Sequence, residues 1–440
     1  MKMKKWLTHS MGLVMVMSVF AGCSSKTETA ATVSPAAQST AAATTTAAQA
    51  TTKPEDKISG KITFLNHRTD IAETKMKDYI AAFKKLYPNA DVENEAVKDE
   101  SNIVKVRAAS QQLPDVVFVG GDAMKPQNYP DYFVPLDDLG LNGKVYFEDS
   151  FKVNGKLYGI SSGGSITGVL YNKKAFESAG ITSVPKTLDE FYADCEKLKS
   201  KGIVPVATNF KDKWPLSQYE VLAQSIAGDA LIMDKLAVSD APFTLDSSYG
   251  KALTILRTLA DKKYTESDLF STNWEASKKD LATGKFAMAV LGNWAIPQII
   301  ENGAQPDDIG FFPMPVDNNG TLVSPIGSDA ALVVSKTSKN IETAKAFVKF
   351  FIEQSGYAND SGFVPPIKSE QPKLKQLADF MNGTKMLESS PTKDYTNQVS
   401  NKAQFAFPDL AQEFMTTKDQ QSVLDKFNKK WAAARKTVTQ

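Results

Sequence analysis

Beyond residue 57, short apolar runs alternate with stretches in which apolar side chains recur at helical spacing. Residues 61–65 (KITFL) have the composition of a strand, residues 90–97 (ADVENEAV) resemble a second strand, and the apolar run 115–119 (DVVFV) is typical of a strand buried in a parallel sheet. A helix is predicted over 103–110. Another is predicted between the first two strands, ending before Pro88, because six apolar residues share one helical face: Met76, Tyr79, Ile80, Phe83, Leu86 and Tyr87. This alternation predicts an α/β fold.

The same alternation continues to the end of the chain, without an internal repeat of fixed period. Two polar pairs have the spacing of a helix capping box, Asp70 with Glu73 and Thr187 with Glu190. Further strands are predicted at 168–171, 203–207, 286–291 and 330–334, and further helices from Lys186 onward, over 341–352 and along an apolar stripe at 423–431.

The first 22 residues have the order of a secretory signal peptide. Lys2, Lys4 and Lys5 precede an apolar run at 11–21, and small residues follow it at a suitable cleavage position. The run is much shorter than the roughly 20 apolar residues that cross a bilayer. A buried helix at the chain start is the alternative, which the order of basic, apolar and small segments disfavours.

A cysteine follows this segment directly. Residues 20–23 (FAGC) resemble the lipobox of bacterial lipoproteins, although Phe20 stands where leucine is usual. The resemblance implies a diacylglyceryl group on Cys23, and stable anchoring requires more than one acyl chain. Of the thirty residues 24–53, ten are Ala, nine are Thr and four are Ser, so little can be buried there. We predict that residues 23–57 form a disordered tether to the outer face of the cell membrane, as in a Gram-positive cell.

The composition excludes several classes of function. The chain has 51 basic and 50 acidic residues and no long basic run, so no nucleic-acid surface is expected. His9 and His67 are the only histidines, which excludes a zinc site or a catalytic triad built on several histidines. Besides Cys23 only Cys195 is present, so the mature chain cannot form an internal disulfide. We expect no metal, no cofactor and a monomer.

Five stretches, in this order, resemble the extracellular solute-binding proteins of carbohydrate ABC transporters, the group that includes maltose-binding protein. A weaker sixth is 363–366 (FVPP). Together they extend the resemblance from about residue 60 to the end of the chain. The five are 113–122 (LPDVVFVGGD), 155–160 (GKLYGI) with 170–181 (LYNKKAFESAGI), 214–216 (WPL), 284–294 (GKFAMAVLGNW) and 326–351 (IGSDAALVVSKTSKNIETAKAFVKFF).

The resemblance implies a type II periplasmic-binding-protein-like fold, in which a hinge joins two α/β lobes around a ligand cleft. The first lobe would contain residues 58–162 and 328–362, and the second would contain 163–327 and 363–440. Gly163, Gly164 and Gly327 fall at the expected crossings, where tolerance of positive φ would let the backbone turn, unless they are ordinary loop glycines. The lobes would close on a sugar, and membrane permease subunits of the transporter would receive it.

Sugar recognition requires polar groups for the hydroxyls and aromatic rings for the C–H faces, placed at the carboxyl ends of strands. Asn66, Arg68 and Asp70 follow the first strand, although Asp70 could serve only as a helix cap. The resemblance places a sugar-binding carboxylate at Asp122 and a stacking ring at Trp294. Trp274 either extends the site or covers a loop. The other expected ligand contacts are Ser162, Asn209, Lys211, Trp214, Ser328 and Asp329.

Two alternatives remain open. The same architecture could bind a peptide, a polyamine or an anion, although the scattered tryptophans favour a sugar. An anchored glycoside hydrolase would need two carboxylates facing each other, for which Asp70 and Asp122 are the candidates, but neither has a local mark of a catalytic acid. We therefore predict a binding protein rather than an enzyme. Ser165 stands where maltose-binding protein carries a carboxylate, so maltose is not predicted.

Overall fold

The computed structural model describes residues 58–120, 123–390 and 392–439. The predicted signal peptide and tether, including Cys23, and the expected ligand residue Asp122 lie outside the described residues. In the described ranges the strands are β1 (Gly60–Asn66), β2 (Ala90–Ala96), β3 (Val116–Gly120), β4 (Lys152–Val153), β5 (Lys156–Leu157), β6 (Ile160–Ser161), β7 (Gly164–Asn172), β8 (Val204–Ala207), β9 (Phe286–Gly292), β10 (Ile309–Phe312), β11 (Val323–Ser328), β12 (Ala330–Val334) and β13 (Lys385–Glu388). The α-helices are α1 (Lys75–Leu86), α2 (Glu100–Ala109), α3 (Tyr129–Tyr132), α4 (Glu148–Phe151), α5 (Lys173–Ser178), α6 (Leu188–Ser200), α7 (Ser217–Ala227), α8 (Ile232–Ala237), α9 (Ser248–Asp261), α10 (Trp274–Ala282), α11 (Ala295–Glu301), α12 (Ile341–Glu353), α13 (Tyr357–Asp360), α14 (Lys375–Met381), α15 (Asp394–Ala403), α16 (Phe407–Thr416) and α17 (Gln420–Arg435).

Two mixed sheets organise this part of the chain, which has the predicted α/β class. The first has the order β2-β1-β3-β12-β6, and the second has the order β13-β11-β7-β9-β8 with β10 paired to β7. The run predicted as a buried parallel strand is β3, whose first four residues are buried. It has one parallel neighbour, β1, and one antiparallel neighbour, β12, so that Ala330 lies opposite Gly120. The sheet is therefore not purely parallel.

Helices cover the first sheet through an aromatic core. Phe64 of β1 lies 5.0 Å from Phe118 of β3 and 5.2 Å from Phe347 of α12, measured between ring centroids. Each of these rings is fully buried, which stabilises the fold by about 1.5–3 kcal/mol per side chain. Met76, Tyr79 and Phe83 form the buried face of α1, whereas Leu86 at its end is 48% exposed.

One of the two predicted capping boxes is present. In α6 the Thr187 hydroxyl accepts the N–H of Glu190, and the Glu190 carboxylate accepts the N–H of Thr187, as predicted. The prediction for Asp70 is wrong, because α1 begins at Lys75 and its N-cap, Thr74, makes no side-chain cap bond. The Asp70 carboxylate is instead occupied by Arg68.

Three chain segments pass side by side between the two sheets, at 161–164, 328–330 and 362–364. The Asp329 N–H donates to the Gly163 carbonyl (2.9 Å), and Gly164 and Val364 exchange two backbone hydrogen bonds (2.8 and 3.0 Å). The Ser161 and Ser328 hydroxyls, 2.8 Å apart, join the first two segments again. We call these the three crossings.

Gly163 and Gly164 are required for space rather than for positive φ, which corrects the sequence-based expectation. None of Gly163, Gly164 and Gly327 has a positive φ. A Cβ on Gly163 would lie 2.6 Å from Cβ of Phe363, and one on Gly164 would lie 3.0 Å from side-chain atoms of Ile326 and Val364. A Cβ on Gly327 would meet only ordinary contacts. The first two glycines therefore let the crossings pack closely.

Part of the last predicted segment contacts the first lobe. The Tyr146 N–H donates to the Pro366 carbonyl and the Lys368 N–H donates to the Lys144 carbonyl, both at 2.9 Å. The predicted division places residues 366–368 in the second lobe. That division stays a prediction about which segments would move together.

Candidate functional site

The three crossings lie where strands of both sheets end. β3 ends at Gly120, opposite Ala330 just after the second crossing, and β9 ends at Gly292, opposite Thr167 near the start of β7. Asn293 fixes this arrangement: its Oδ1 accepts the N–H of Ile166, and its Nδ2 donates to the carbonyls of Gly164 (3.1 Å) and Gly362 (2.8 Å). The fold therefore brings residues of both lobes to one hinge-side edge.

Three tryptophans form one cluster at the strand ends of the second sheet. Trp214 follows β8, Trp294 follows β9 and Trp274 begins α10. The Trp214 ring centroid lies 5.5 Å from that of Trp294 and 6.0 Å from that of Trp274, and the Trp274 and Trp294 centroids are also 6.0 Å apart. Trp274 is 7% exposed and Trp214 is 38% exposed. We call these residues the tryptophan cluster. Trp274 is its buried member, and Trp214, which is exposed to solvent, is its open ring.

The backbone under Trp294 is shaped for that ring. A Cβ on Gly292 would lie 2.1 Å from Nε1 of Trp294, so only glycine leaves room for the indole to fold back over the end of β9. The Trp274 Nε1 donates to Oε1 of Gln298 on α11 (3.3 Å), and the Thr167 hydroxyl donates to Oε1 of Gln218 on α7 (2.8 Å). Polar groups of the kind that bind hydroxyls therefore accompany the aromatic rings.

A buried carboxylate organises the loop after β8. Glu266 accepts hydrogen bonds from the Thr208 N–H (3.0 Å), the Thr208 hydroxyl (2.7 Å) and the Asn209 N–H (3.0 Å). Asn209 and Lys213 both have positive φ (51° and 61°), which is strained for residues other than glycine and is frequent at functional sites. The hydrogen bonds to Glu266 therefore help to hold this loop in a strained backbone conformation.

Asn209, an expected ligand contact, is fully buried. Its Oδ1 accepts a short hydrogen bond from the Ser277 hydroxyl, while its Nδ2 has no hydrogen-bond partner among the described residues. Lys211, also expected to contact ligand, is exposed on the same loop. Burial of Asn209 gives it a clear role in holding the loop.

At the end of β1, the expected ligand residues Arg68 and Asp70 bind each other. Arg68 donates to both oxygens of Asp70 (2.9 and 2.7 Å), to the Tyr357 hydroxyl (2.8 Å) and to the Ser361 hydroxyl (2.7 Å). Partial burial acts to raise the pKa of Asp70, but the hydrogen bonds and charge of Arg68 outweigh it and lower that pKa. Asp70 is therefore a carboxylate at neutral pH, held by an arginine.

The other expected residues of the first lobe are also engaged within the protein. Asn66 is fully buried; its Nδ2 donates to Oδ1 of Asn94 (2.8 Å) and its Oδ1 accepts the Arg68 N–H. The Ser162 hydroxyl donates to Oδ2 of Asp329 (3.0 Å) at the crossings, where Ser328 binds Ser161. The structure thus brings Ser162, Ser328 and Asp329 together at the crossings.

Sequence reasoning missed several residues that shape the site. Asn293 lies inside the quoted stretch 284–294, where its position between a strand end and a tryptophan was an available signal. Glu266, Gln218, Tyr357 and Ser361 had no such signal, because their partners are distant in the sequence.

The described ranges offer little for other chemistries. In them, no group of three or more His, Cys, Asp or Glu side chains could hold a metal ion. No helix among the described residues is long and apolar enough to span a bilayer. Cys195 is a free, buried thiol whose pKa is raised by burial.

Known proteins resemble this chain in both sequence and overall structure. The multiple sugar-binding protein of Streptococcus mutans is 27% identical over 314 residues, which cover 68% of this chain and 72% of that protein. A binding protein of an ABC transporter from Bifidobacterium animalis subsp. lactis, solved with mannobiose, is 28% identical with a TM-score of 0.77, covering 87% of this chain and 96% of that one. A manno-oligosaccharide-specific solute-binding protein from the same organism, 24% identical, matches in fold (TM-score 0.77; 88% and 96% covered).

The two-lobed architecture predicted from the sequence is confirmed by these structural matches. The family model described as bacterial extracellular solute-binding protein matches residues 69–358, well over half of the chain. This chain therefore belongs to the bacterial extracellular solute-binding protein family.

Proposed function

We propose that this protein is the substrate-binding component of a bacterial ABC importer and that it captures a sugar or oligosaccharide outside the membrane. The observation that carries the proposal is the tryptophan cluster beside the crossings, with Trp214 open to solvent. Pyranose C–H faces stack on such rings, and hydroxyls bond to neighbouring amides and carboxylates. Membership of the family and the printed names of its sugar-binding relatives support the same ligand class.

Closure of the lobes would couple binding to delivery. A ligand that contacts both the tryptophan cluster and the first-lobe residues at the end of β1 stabilises the closed state, because it makes both sets of contacts only in that state. Moving the equilibrium from 1:99 to 99:1 takes about 5.5 kcal/mol of differential affinity. A few charged hydrogen bonds at about 1.5–3 kcal/mol each, with one stacked ring, are sufficient. The permease subunits would then take the sugar from the closed form.

We propose that the protein works from a lipid anchor on Cys23, through the tether 23–57, after loss of the signal peptide 1–22. The support is the sequence alone: the FAGC motif after an apolar run, followed by a segment poor in apolar side chains. Cys23→Ala is expected to move the protein from the membrane fraction to the medium. Retention in the membrane would contradict the anchor.

The contacts of Arg68 and Asp70 argue against two of the alternatives, a hydrolase with Asp70 as its acid and an anion site at Arg68. A glycosidase acid needs a raised pKa, whereas the pKa of Asp70 is lowered and its oxygens are held by Arg68. An anion site using Arg68 would have to break those bonds, since Arg68 already donates to Asp70, Tyr357 and Ser361. We therefore favour binding of a sugar over both of these functions.

Calorimetry of residues 58–440 against a panel of neutral sugars tests the proposal. The panel holds mannobiose and mannotriose, raffinose and stachyose, and chitin oligosaccharides, with spermidine, a short peptide and phosphate as charged comparisons. At least one neutral sugar is expected to bind, with no hydrolysis product. Binding only of a charged solute, or turnover of a sugar, would contradict the proposal.

A further inference from the structure

Beyond the tryptophan cluster, the second lobe exposes one further aromatic ring near the candidate site. Among the aromatic side chains of the described residues, only Trp214 and Phe270 are exposed, at 38% and 62%. Every other described Phe, Tyr and Trp is buried or half-buried. A single exposed apolar side chain is ordinary in folded proteins, so the interest of Phe270 lies in its connection to the loop that carries Trp214.

Phe270 and Trp214 belong to two segments that are bonded to each other. Trp214 lies in the loop after β8, and Phe270 lies in the loop 265–273 before α10. Glu266 of the second loop binds the N–H groups of Thr208 and Asn209 in the first, and Oδ2 of Asp212 accepts the Trp274 N–H at 2.7 Å. These contacts make the two loops one unit.

Ring contacts join the same two loops at both ends. Phe270 meets Phe210 edge-on at 4.9 Å, and Trp214 meets Trp274 edge-on at 6.0 Å, both between centroids. Phe210 and Trp214 each begin a 3₁₀ turn, Phe210–Asp212 and Trp214–Leu216. Phe210 and Trp214 are four residues apart on one loop, so this loop carries Trp214 itself and, through Phe210, contacts the ring of Phe270.

Helix α16 contacts the loop that carries Phe210 and Trp214. Phe210 is 1% exposed, its carbonyl accepts Nε2 of Gln412 on α16, and Lys213 pairs with Asp409 of the same helix at 2.9 Å. A ring presented on ordered backbone loses little conformational entropy when a ligand stacks on it. Lys211 and Asp268, both exposed, lie on the same two loops.

We infer that the ligand site continues from the tryptophan cluster to Phe270, so that Phe270 forms an outer subsite for a further ring of an oligosaccharide. The inference rests on the proposed function and sharpens it: the substrate class is a chain of sugars, and Phe270 sets a preference for its length. Trp214 holds an inner ring of that chain, and Phe270 holds an outer one.

Titration calorimetry with pairs of sugars that differ by one ring tests this, using mannobiose with mannotriose and raffinose with stachyose. In the series that binds, the wild-type protein is expected to prefer the longer member by about 10-fold, the effect of about 1.4 kcal/mol. Phe270→Ala is expected to remove that preference and to leave the affinity for the shorter member within about twofold. Phe270→Tyr is expected to keep the preference.

Two further variants separate stacking from support. Phe270→Leu keeps apolar contact with Phe210 but lacks a flat face, so it is expected to behave like Phe270→Ala. Val238→Ala removes another exposed apolar side chain of the same lobe, 53% exposed, and is expected to change nothing. Melting temperatures of all variants show whether the fold is intact.

Three outcomes would overturn the inference. They are equal weakening of short and long sugars by Phe270→Ala, an unchanged preference in that variant, and a wild-type protein that does not prefer the longer sugar. If the wild-type protein bound none of the neutral sugars, the proposed function itself would fail, which is a different result from loss of length preference alone.

Discussion

The two lobes contribute side chains to the candidate site that differ in how far they are already engaged by contacts within the protein. At the end of β1, Arg68 donates hydrogen bonds to Asp70, Tyr357 and Ser361. At the ends of β8 and β9, the tryptophan cluster leaves Trp214 open to water. Residues that look alike as sugar contacts in the sequence therefore separate into two groups. Arg68 and Asp70 of the first lobe are engaged within the fold, whereas Trp214 of the second lobe has surface left for a ligand.

The largest effect expected from this contrast is on folding. Arg68→Ala removes four hydrogen bonds and leaves the buried Tyr357 hydroxyl without its arginine. We expect the free energy of unfolding to fall by about 2–4 kcal/mol, measured by urea denaturation. Because the Asp70 side chain is 46% exposed, the ion pair itself contributes only a small part.

Arg68→Lys is the matched control, since it keeps the charge but cannot reach all four acceptors. It is expected to lose an intermediate amount of stability. If Arg68→Ala instead unfolded like the wild-type protein while losing sugar affinity, the two lobes would not differ as described.

The next largest effect is expected on binding. Trp214→Ala removes the open ring of the cluster, and the affinity for the best sugar of the panel is expected to fall by about 30-fold or more, or about 2 kcal/mol, by calorimetry. Its stability is expected to change by less than that of Arg68→Ala, because the ring is already partly in water. Unchanged affinity would refute the role given to Trp214.

Trp294→Ala separates the open ring from its neighbour. Trp294 is half-buried and packs over Gly292, so its removal is expected to weaken binding and also to lower the melting temperature. A loss of binding with no loss of stability would assign to Trp294 the open position that the structure gives to Trp214.

Two carboxyl groups are expected to give opposite dependences of stability on pH. Burial raises the pKa of Glu220 on α7 to about 7, although a hydrogen bond from the Tyr249 hydroxyl (3.1 Å) acts to lower it. Between about pH 4.5 and 7 the folded state keeps a proton that the unfolded state loses, so this group makes stability fall as pH rises. The lowered pKa of Asp70 makes stability fall as pH decreases through the acid range instead.

Glu220→Gln is expected to remove the loss on the alkaline side, raising stability at pH 8 by at most about 3 kcal/mol and leaving it unchanged at pH 4. Asp70→Asn is expected to flatten only the acid side. Denaturation curves at pH 4, 6 and 8 check the Glu220 prediction, and further curves below the ordinary aspartate pKa, at about pH 2 to 3, check the Asp70 prediction. A Glu220→Gln protein less stable at pH 8 than the wild-type protein would contradict this expectation, because it would mean that the ionised carboxylate stabilises the fold.

The smallest effect is expected from Ser361→Ala, which removes one acceptor of Arg68. One hydrogen bond of this kind contributes about 1 kcal/mol to stability, and sugar affinity is expected to stay unchanged. Loss of affinity in this variant would mean that the ligand depends on the orientation of Arg68.

The elements that the periodicity of the chain predicts are present in the structure, because their apolar faces are local patterns. The strand at 61–65, the buried run 115–119, the Thr187 capping box and the stripe ending at Trp431 all lie where the sequence indicated. Asp70 was misplaced as a cap because its partner, Arg68, competes for the same carboxylate. Local spacing carries no information about that competition.

The site was less accessible to sequence reasoning because its bonds join distant segments. Asn209 was expected to contact ligand, yet Ser277 and Glu266, more than fifty residues away, hold it in a buried position. Gly163 and Gly164 lie at the crossings, as expected, but the reason is close contact with Phe363 and Val364 rather than positive φ. The assignments of all the expected residues to the ligand stay predictions: Asn66, Arg68, Asp70, Asp122, Ser162, Asn209, Lys211, Trp214, Trp294, Ser328 and Asp329.

The spacing of the three clustered indoles has a practical consequence. Of the five tryptophans in the sequence, Trp6 lies in the predicted signal peptide and Trp431 is fully buried in α17, so Trp214, Trp274 and Trp294 dominate the solvent-sensitive emission of the mature protein. With centroids within 6.0 Å, they exchange excitation before they emit. A sugar laid on Trp214 would shift the fluorescence of all three, so the protein carries its own optical reporter of occupancy.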